Sequence, residues 1–290
     1  LANTIGSNDS LGGLTDRALF DRLFWLGKEV HHELKVAAEA CALVYSFDVE
    51  DHEGELSAIS ALAGIAPLTL YRHVNDLQQR GLAQRRGKWR AILPHAIANP
   101  LAARALDSIP HALLHANLVA PQGRLLRSFS RRLGYLHTSP SAEKFANSWL
   151  AEGGLLGDVA SLSPFLLDVL CNIAPVSPAG TLSAIKRAVE GPAAAELLSA
   201  KAPSRTRFVR LVRSIAYEAK YFDECLSVLI AFARTEAEDE RMDPTRSVIA
   251  SLFTLYLSGT HATTKQRADW IRRELESGDA VRGEIGLKAL

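Results

Sequence analysis

"LTLYRHVNDLQQRGLAQRRGKWRAILPH", residues 68–95, is the stretch on which the fold turns. Leu70, Val74 and Leu77 recur at helical spacing, and Gly81 supplies the stop after them. Pro67, one residue upstream, suits a first helical turn, where its missing N–H would have had no partner anyway. Beyond the glycine, "LAQRR" and "WRAILP" read as two short strands around a "GK" turn. A helix closed by glycine and followed by a hairpin is therefore expected here.

Working outward, helix signals dominate. "ELSAISALAG" forms a short helix closed by Gly64, and "HHELKVAAEACALVYSF" places Leu34, Ala38, Cys41 and Tyr45 on one helical stripe. Earlier still, "LTDRALFDRLFWL" has Thr15 as N-cap with Leu19, Leu23 and Leu26 at helical spacing. Helix, helix, turn, helix, hairpin is the winged-helix order.

Beyond about residue 100 the pattern is all-helical and recurrent. Ile173 in "NIA" and Ile215 in "SIA" are 215 − 173 = 42 residues apart, and Leu257 in "YLS" lies 257 − 215 = 42 further on. A period of about 40–47 residues with two helices per unit is that of HEAT-like arrays, whose units gain a core by stacking. The expected fold is all-α with one small β-hairpin wing near 83–93. Residues 1–29 are read as a helical connection from an upstream domain, 30–105 as a winged helix and 106–290 as a HEAT-like α-solenoid array. The acidic "EAEDE" at 236–240 is expected between units as a solvated loop.

Composition narrows the function classes. The net charge is +1, so any basic patch must be local rather than a property of the whole chain. Cys41, Cys171 and Cys225 are scattered and odd in number, which reads as reduced thiols in a cytoplasmic protein. No apolar run is long enough for a membrane span. The only methionine is Met242, and the chain opens on Leu1 and closes on "GEIGLKAL"; the expectation is a middle portion of a longer polypeptide.

Motifs for chemistry are absent. The sequence has no GxxxxGK[ST], GxSxG or CxxC, and "GGLLG" at 153–157 lacks phosphate-loop spacing. His111 and His115 share a helix face, but "HALLH" lacks the general-base glutamate of HExxH, so no metal site is expected. Arg124, Arg127 and Arg131 form one basic row and Arg207, Arg210 and Arg213 a looser one, both read as solvated faces. The third basic set lies within 68–95, where five arginines and Lys88 face one acid, Asp76. Arg72, Asn75 and Gln79 share an outward helix face with side chains of the base-reading type, and Arg85, Arg86 and Lys88 fall near the wing tip.

The segments "LKVAAEACALVYSF", "LSAISALAG" and "LYRHVNDLQQRGLAQRRGKWRAILPHAIANPLA" resemble the winged-helix domain of STAND-class signal-transduction NTPases. The resemblance extends over "RLLRSFSRRLGYLH", "GGLLGDVA" and "LYLSGTHAT", similar to large bacterial members with helical repeats after the ATPase core. It implies a non-catalytic part of an ATP-dependent switch, of the kind that acts in bacterial antiviral defence. ATP or ADP with Mg would be held by an upstream domain, and the repeats would bind a trigger or partner. In that family a histidine after the last wing strand, in a Met-His-Asp motif, reaches the ADP β-phosphate. His95 in "LPHAIANPLA" occupies that place, with Pro94 and Ala96 where methionine and aspartate would stand. The alternative reading is a DNA-binding winged-helix transcription regulator with a helical ligand or partner domain, carried by Arg72, Asn75, Gln79, Arg85, Arg86 and Lys88.

Overall fold

The computed structural model describes residues 22–26, 29–51, 53–237, 244–256 and 258–290. Expectations that fall on Thr15, Leu19, Met242, Leu257 and residues 238–240 lie outside these. The chain divides into two compact units, one up to Ala142 and one from Glu143.

The first unit opens on two minimal antiparallel strands, β1 (Trp25–Leu26) and β2 (Glu29–Val30). The helical stripe read through Leu26 therefore does not run to that residue. Helix α1 (His32–Ala42) follows, its first turn capped by His31 Nδ1, which accepts from the Leu34 amide at 3.0 Å. It ends at Ala42, so Tyr45 leaves the helical stripe, and the chain enters strand β3 (Phe47–Asp48). Helices α2 (Glu55–Ala63) and α3 (Pro67–Gln79) come next. Gly64 and Gly81 close them at φ +65° and +72°, left-handed values that a Cβ disfavours. The α3 stripe of Leu70, Val74 and Leu77 is buried.

Strands β4 (Ala83–Arg86) and β5 (Trp89–Ile92) form the hairpin, turning at Gly87 with φ +59°. Strand β3 adds to its free edge, giving a three-stranded antiparallel sheet of order β3-β5-β4. Helix α4 (His95–Ser108) then packs along α1. A short turn α5 (His111–Leu114) runs into a π-helical turn (His115–Val119), and α6 (Arg124–Leu133) follows.

The division between units falls within α7 (Pro140–Leu150). Beyond it come α8 (Pro164–Ile173), α9 (Pro178–Glu190), α10 (Ala194–Leu198), α11 (Arg205–Ile215), α12 (Phe222–Ala233), α13 (Thr245–Ser251), α14 (Thr264–Leu275) and α15 (Ala280–Lys288). Ile173 and Ile215 are the buried last residues of α8 and α11. Helix α9 packs on α11 and α12, and α13 packs on α11, α12 and α15. The Arg207 row is not simply solvated, because Arg207 pairs with Asp168 of α8 and donates to the Pro164 carbonyl at 3.2 Å.

Two buried arginines tie these helices together. Arg205 donates to the Leu198 and Phe232 carbonyls at 2.7 and 2.6 Å and to the Thr235 and Thr245 hydroxyls at 3.1 and 3.3 Å. Arg267 donates to the carbonyls of Thr254, Thr260 and Ala262 and to the Ser258 hydroxyl at 2.6 Å.

"GGLLG" is explained by packing. A Cβ on Gly154 would lie 2.5 Å from the Ser148 carbonyl oxygen and 2.6 Å from that of Trp149, closer than real side chains come. Gly283, inside α15, has open space where its Cβ would be. Gly154→Ala is therefore expected to destabilise the protein by about 1–3 kcal/mol through overpacking. Gly283→Ala should stabilise it by about 0.5–1 kcal/mol through helix propensity. Chemical denaturation of the two variants checks the opposite signs.

Candidate functional site

The most concentrated chemistry lies where the hairpin hands the chain to α4. There α6 presents its arginines to the segment 45–48 and to the strand β5. Arg124 pairs with Glu55, donates to the Ser46 carbonyl at 3.0 Å and stacks 4.2 Å over the Trp89 ring. Arg131 stacks 3.7 Å over the Tyr45 ring. Arg124 and Arg131, in a row read as solvated, are thus engaged in packing.

The arginine that matters most to this site was missed from the sequence. Arg132 is fully buried, whereas its neighbour Arg131 is exposed. Its Nη1 donates to the Asn99 side-chain oxygen at 2.8 Å and lies 3.1 Å from His95 Nδ1. Its Nε and Nη2 are buried with no hydrogen-bond acceptor. The legible signal was phase, since residue 132 lies seven positions after Leu125 and three after Phe129, on the apolar stripe of α6.

His95 is sandwiched in this cluster. Its ring stacks on Tyr135 at 4.8 Å and lies 5.8 Å from Tyr45. A guanidinium can only donate, so the contact with Arg132 makes Nδ1 an acceptor and leaves the ring proton on Nε2. Burial, then the charges of Arg132 and Arg131, hold the imidazole below its ordinary pKa. Burial also pulls Arg132 down to about 10, so it remains charged at neutral pH. The charges acting on His95 are both positive, which makes the cluster a place for an anion rather than a proton.

The residues proposed to read bases stand apart from His95. Arg72 and Gln79 on α3 are exposed and Asn75 is half-buried; Arg85 and Arg86 are exposed on β4. Lys88 is engaged, pairing with Asp48 at 2.7 Å and lying 4.9 Å from the Trp89 ring centre. Burial raises the Asp48 carboxyl, yet hydrogen bonds from Lys88 and the Glu50 amide bring it below its usual value. Arg80, inside the same basic stretch, is likewise tied to Asp76 at 2.9 Å.

The remaining candidates add little chemistry. His111 and His115 are exposed, and no group of three or more metal-ligating side chains occurs among the described residues. Burial raises all three cysteine thiols, Cys225 to about 12, which disfavours thiolate chemistry. Among the described residues, no helix is long and apolar enough to cross a membrane. No family model, curated protein or solved structure matches the chain significantly.

The depressed imidazole has a stability consequence. Its folded-state pKa lies below the unfolded value of about 6.5, so the unfolded chain binds the proton more readily and stability is lost as pH falls through that range. The melting temperature should therefore drop between about pH 7.5 and about pH 5.5, and His95→Gln should flatten that dependence. Identical pH profiles for the two proteins would refute this assignment.

Proposed function

We propose that this chain is a non-catalytic segment of a STAND-type ATP-dependent signalling switch, in which residues 30–105 act as a winged helix coupling nucleotide state to the helices that follow. The helix–strand–helix–helix–hairpin order with a β3-β5-β4 sheet supports the winged-helix reading. The recurrence of Ile173 and Ile215 at the ends of α8 and α11 supports a HEAT-like array.

One observation carries the nucleotide reading. His95 opens the helix after the last hairpin strand, with its Nε2 left as a donor and no carboxylate among the charges acting on it. A neutral imidazole in that setting can donate to a phosphate oxygen, and the unanswered donors of Arg132 add positive potential behind it. ADP and its Mg would sit on a separate nucleotide-binding domain, which is the partner this reading requires. A trigger or partner protein would engage the repeats, and the setting would be cytoplasmic, in bacterial antiviral defence.

The DNA-regulator alternative draws on Arg72, Asn75, Gln79, Arg85 and Arg86. It is weakened because Lys88 and Arg80 are already paired with acids. The deciding measurement uses a polypeptide that also contains the nucleotide-binding domain. There His95→Ala should weaken ADP by about tenfold to a hundredfold, the worth of a hydrogen bond to a charged group. Unchanged ADP affinity removes the sensor. Salt-sensitive binding of duplex DNA, weakened by Arg72→Ala and Arg86→Ala, would favour the alternative instead.

A further inference from the structure

Asn99 stands one turn beyond His95 on α4, so the two residues share a helix face. Both accept from the same nitrogen of α6. Arg132 Nη1 donates to the Asn99 side-chain oxygen at 2.8 Å and to His95 Nδ1 at 3.1 Å. That nitrogen carries two hydrogens, and both are used. We propose that Asn99 is the specificity-determining residue of the His95 site: it holds Arg132 with a neutral oxygen, leaves the guanidinium charge unanswered, and so makes the site favour an anion over a proton. That the anion is a nucleotide phosphate rests on the switch reading above; the role of Asn99 rests on its own contacts.

The choice of an amide is the main reason. Arg132 is fully buried, and its Nε and Nη2 have no acceptor. Aspartate has nearly the size and shape of asparagine. Its carboxylate could accept from the same Nη1 and supply the missing countercharge as well. A contact that only tied α4 to α6 would gain from that exchange, because a buried cation without a countercharge is costly. The amide forgoes this gain. What it preserves is the positive potential on His95.

The other groups around the imidazole leave that potential intact. Tyr45, after α1, and Tyr135, after α6, present aromatic rings, and Arg131 adds a second positive charge. Burial, then Arg132 and Arg131, hold the imidazole below its ordinary pKa, in line with a site that refuses a proton. A depression of about 470 Å³, lined by Gly81, Ala83, Gln84, Leu93, Pro94 and His95, gives an outside group a way to the ring. No carboxylate lines it. Residue 99 is therefore the place where a single atom decides the sign of the response. Because Asn99 and His95 share one donor nitrogen, a carboxylate there would act on the imidazole within the range of about 6 Å over which it favours protonation.

Nitrogen NMR of the histidine-labelled chain, followed from about pH 8 to about pH 5, reads the His95 tautomer and its titration midpoint, with His95→Gln assigning the signal. In the unaltered protein the ring should carry its proton on Nε2 and titrate below about 6.5. Asn99→Asp should raise that midpoint by about one pH unit or more. Asn99→Leu, which removes the oxygen and adds no charge, should leave it low. An Nδ1-protonated ring in the unaltered protein, a midpoint that Asn99→Asp does not move, or one that Asn99→Leu raises equally overturns the proposal. In the polypeptide that includes the nucleotide-binding domain, Asn99→Asp should weaken ADP at least about tenfold. ADP weakened by His95→Ala and not by Asn99→Asp spares the sensor and overturns this inference. ADP unaffected by His95→Ala removes the sensor, and the NMR midpoints then decide the role of Asn99 on their own.

Discussion

The first unit depends on how α6 clamps the chain between α1 and α2. Ser128 does this through both backbone and side chain. Its carbonyl accepts from the Tyr45 amide at 3.0 Å, and its hydroxyl accepts from the Ser46 amide at 2.9 Å while donating to the Ser46 carbonyl. One turn away on one side Arg124 locks Glu55 and Trp89, and one turn away on the other Arg131 and Arg132 reach Tyr45 and His95. One helix thus fixes the strand β3, the start of α2, the hairpin and the start of α4. Losing that clamp would free the edge strand and the aromatic cluster together.

Charge is distributed unevenly across these contacts. Arg124 has a carboxylate; Arg132 and Arg90 have only neutral partners and keep donors unanswered. Burying an ion costs several kcal/mol even after relaxation, so two such cations within one small unit lower its stability. Arg132 reaches His95 at the start of α4, and Arg90 stands on the inward side of β5. Stability yielded at a particular place is a common mark of a binding surface.

Much of the fold was legible because its punctuation is local. Pro67, Gly64, Gly81 and the GK turn act through their own backbone preferences, and each falls at an element boundary. The third strand was not legible, since Phe47 and Asp48 pair with Trp89 and Arg90 across a long sequence separation. That pairing draws Tyr45 off a helical stripe that its spacing satisfied. In the site, His95 stood out by position, after the last strand. Arg132 did not, because it stands beside Arg131 with the same chemistry and differs only in helical phase. Arg90 hid in a run of basic residues, and only the register of β5 distinguishes it from Arg85 and Arg86.

The buried Arg267 of the second unit follows another design, with a consequence for how its helices stay joined. Arg267 is held by carbonyl and hydroxyl oxygens, none of which titrates in the ordinary range. These contacts draw on permanent dipoles inside the packed helices rather than on a countercharge. Acid cannot discharge them, and dissolved ions have little access to screen them. The joint centred on α14 is accordingly indifferent to the ionic composition around the protein, whereas the hold of Arg207 on Asp168, half exposed, is not. Within one helical unit, fixed and adjustable couplings between helices coexist.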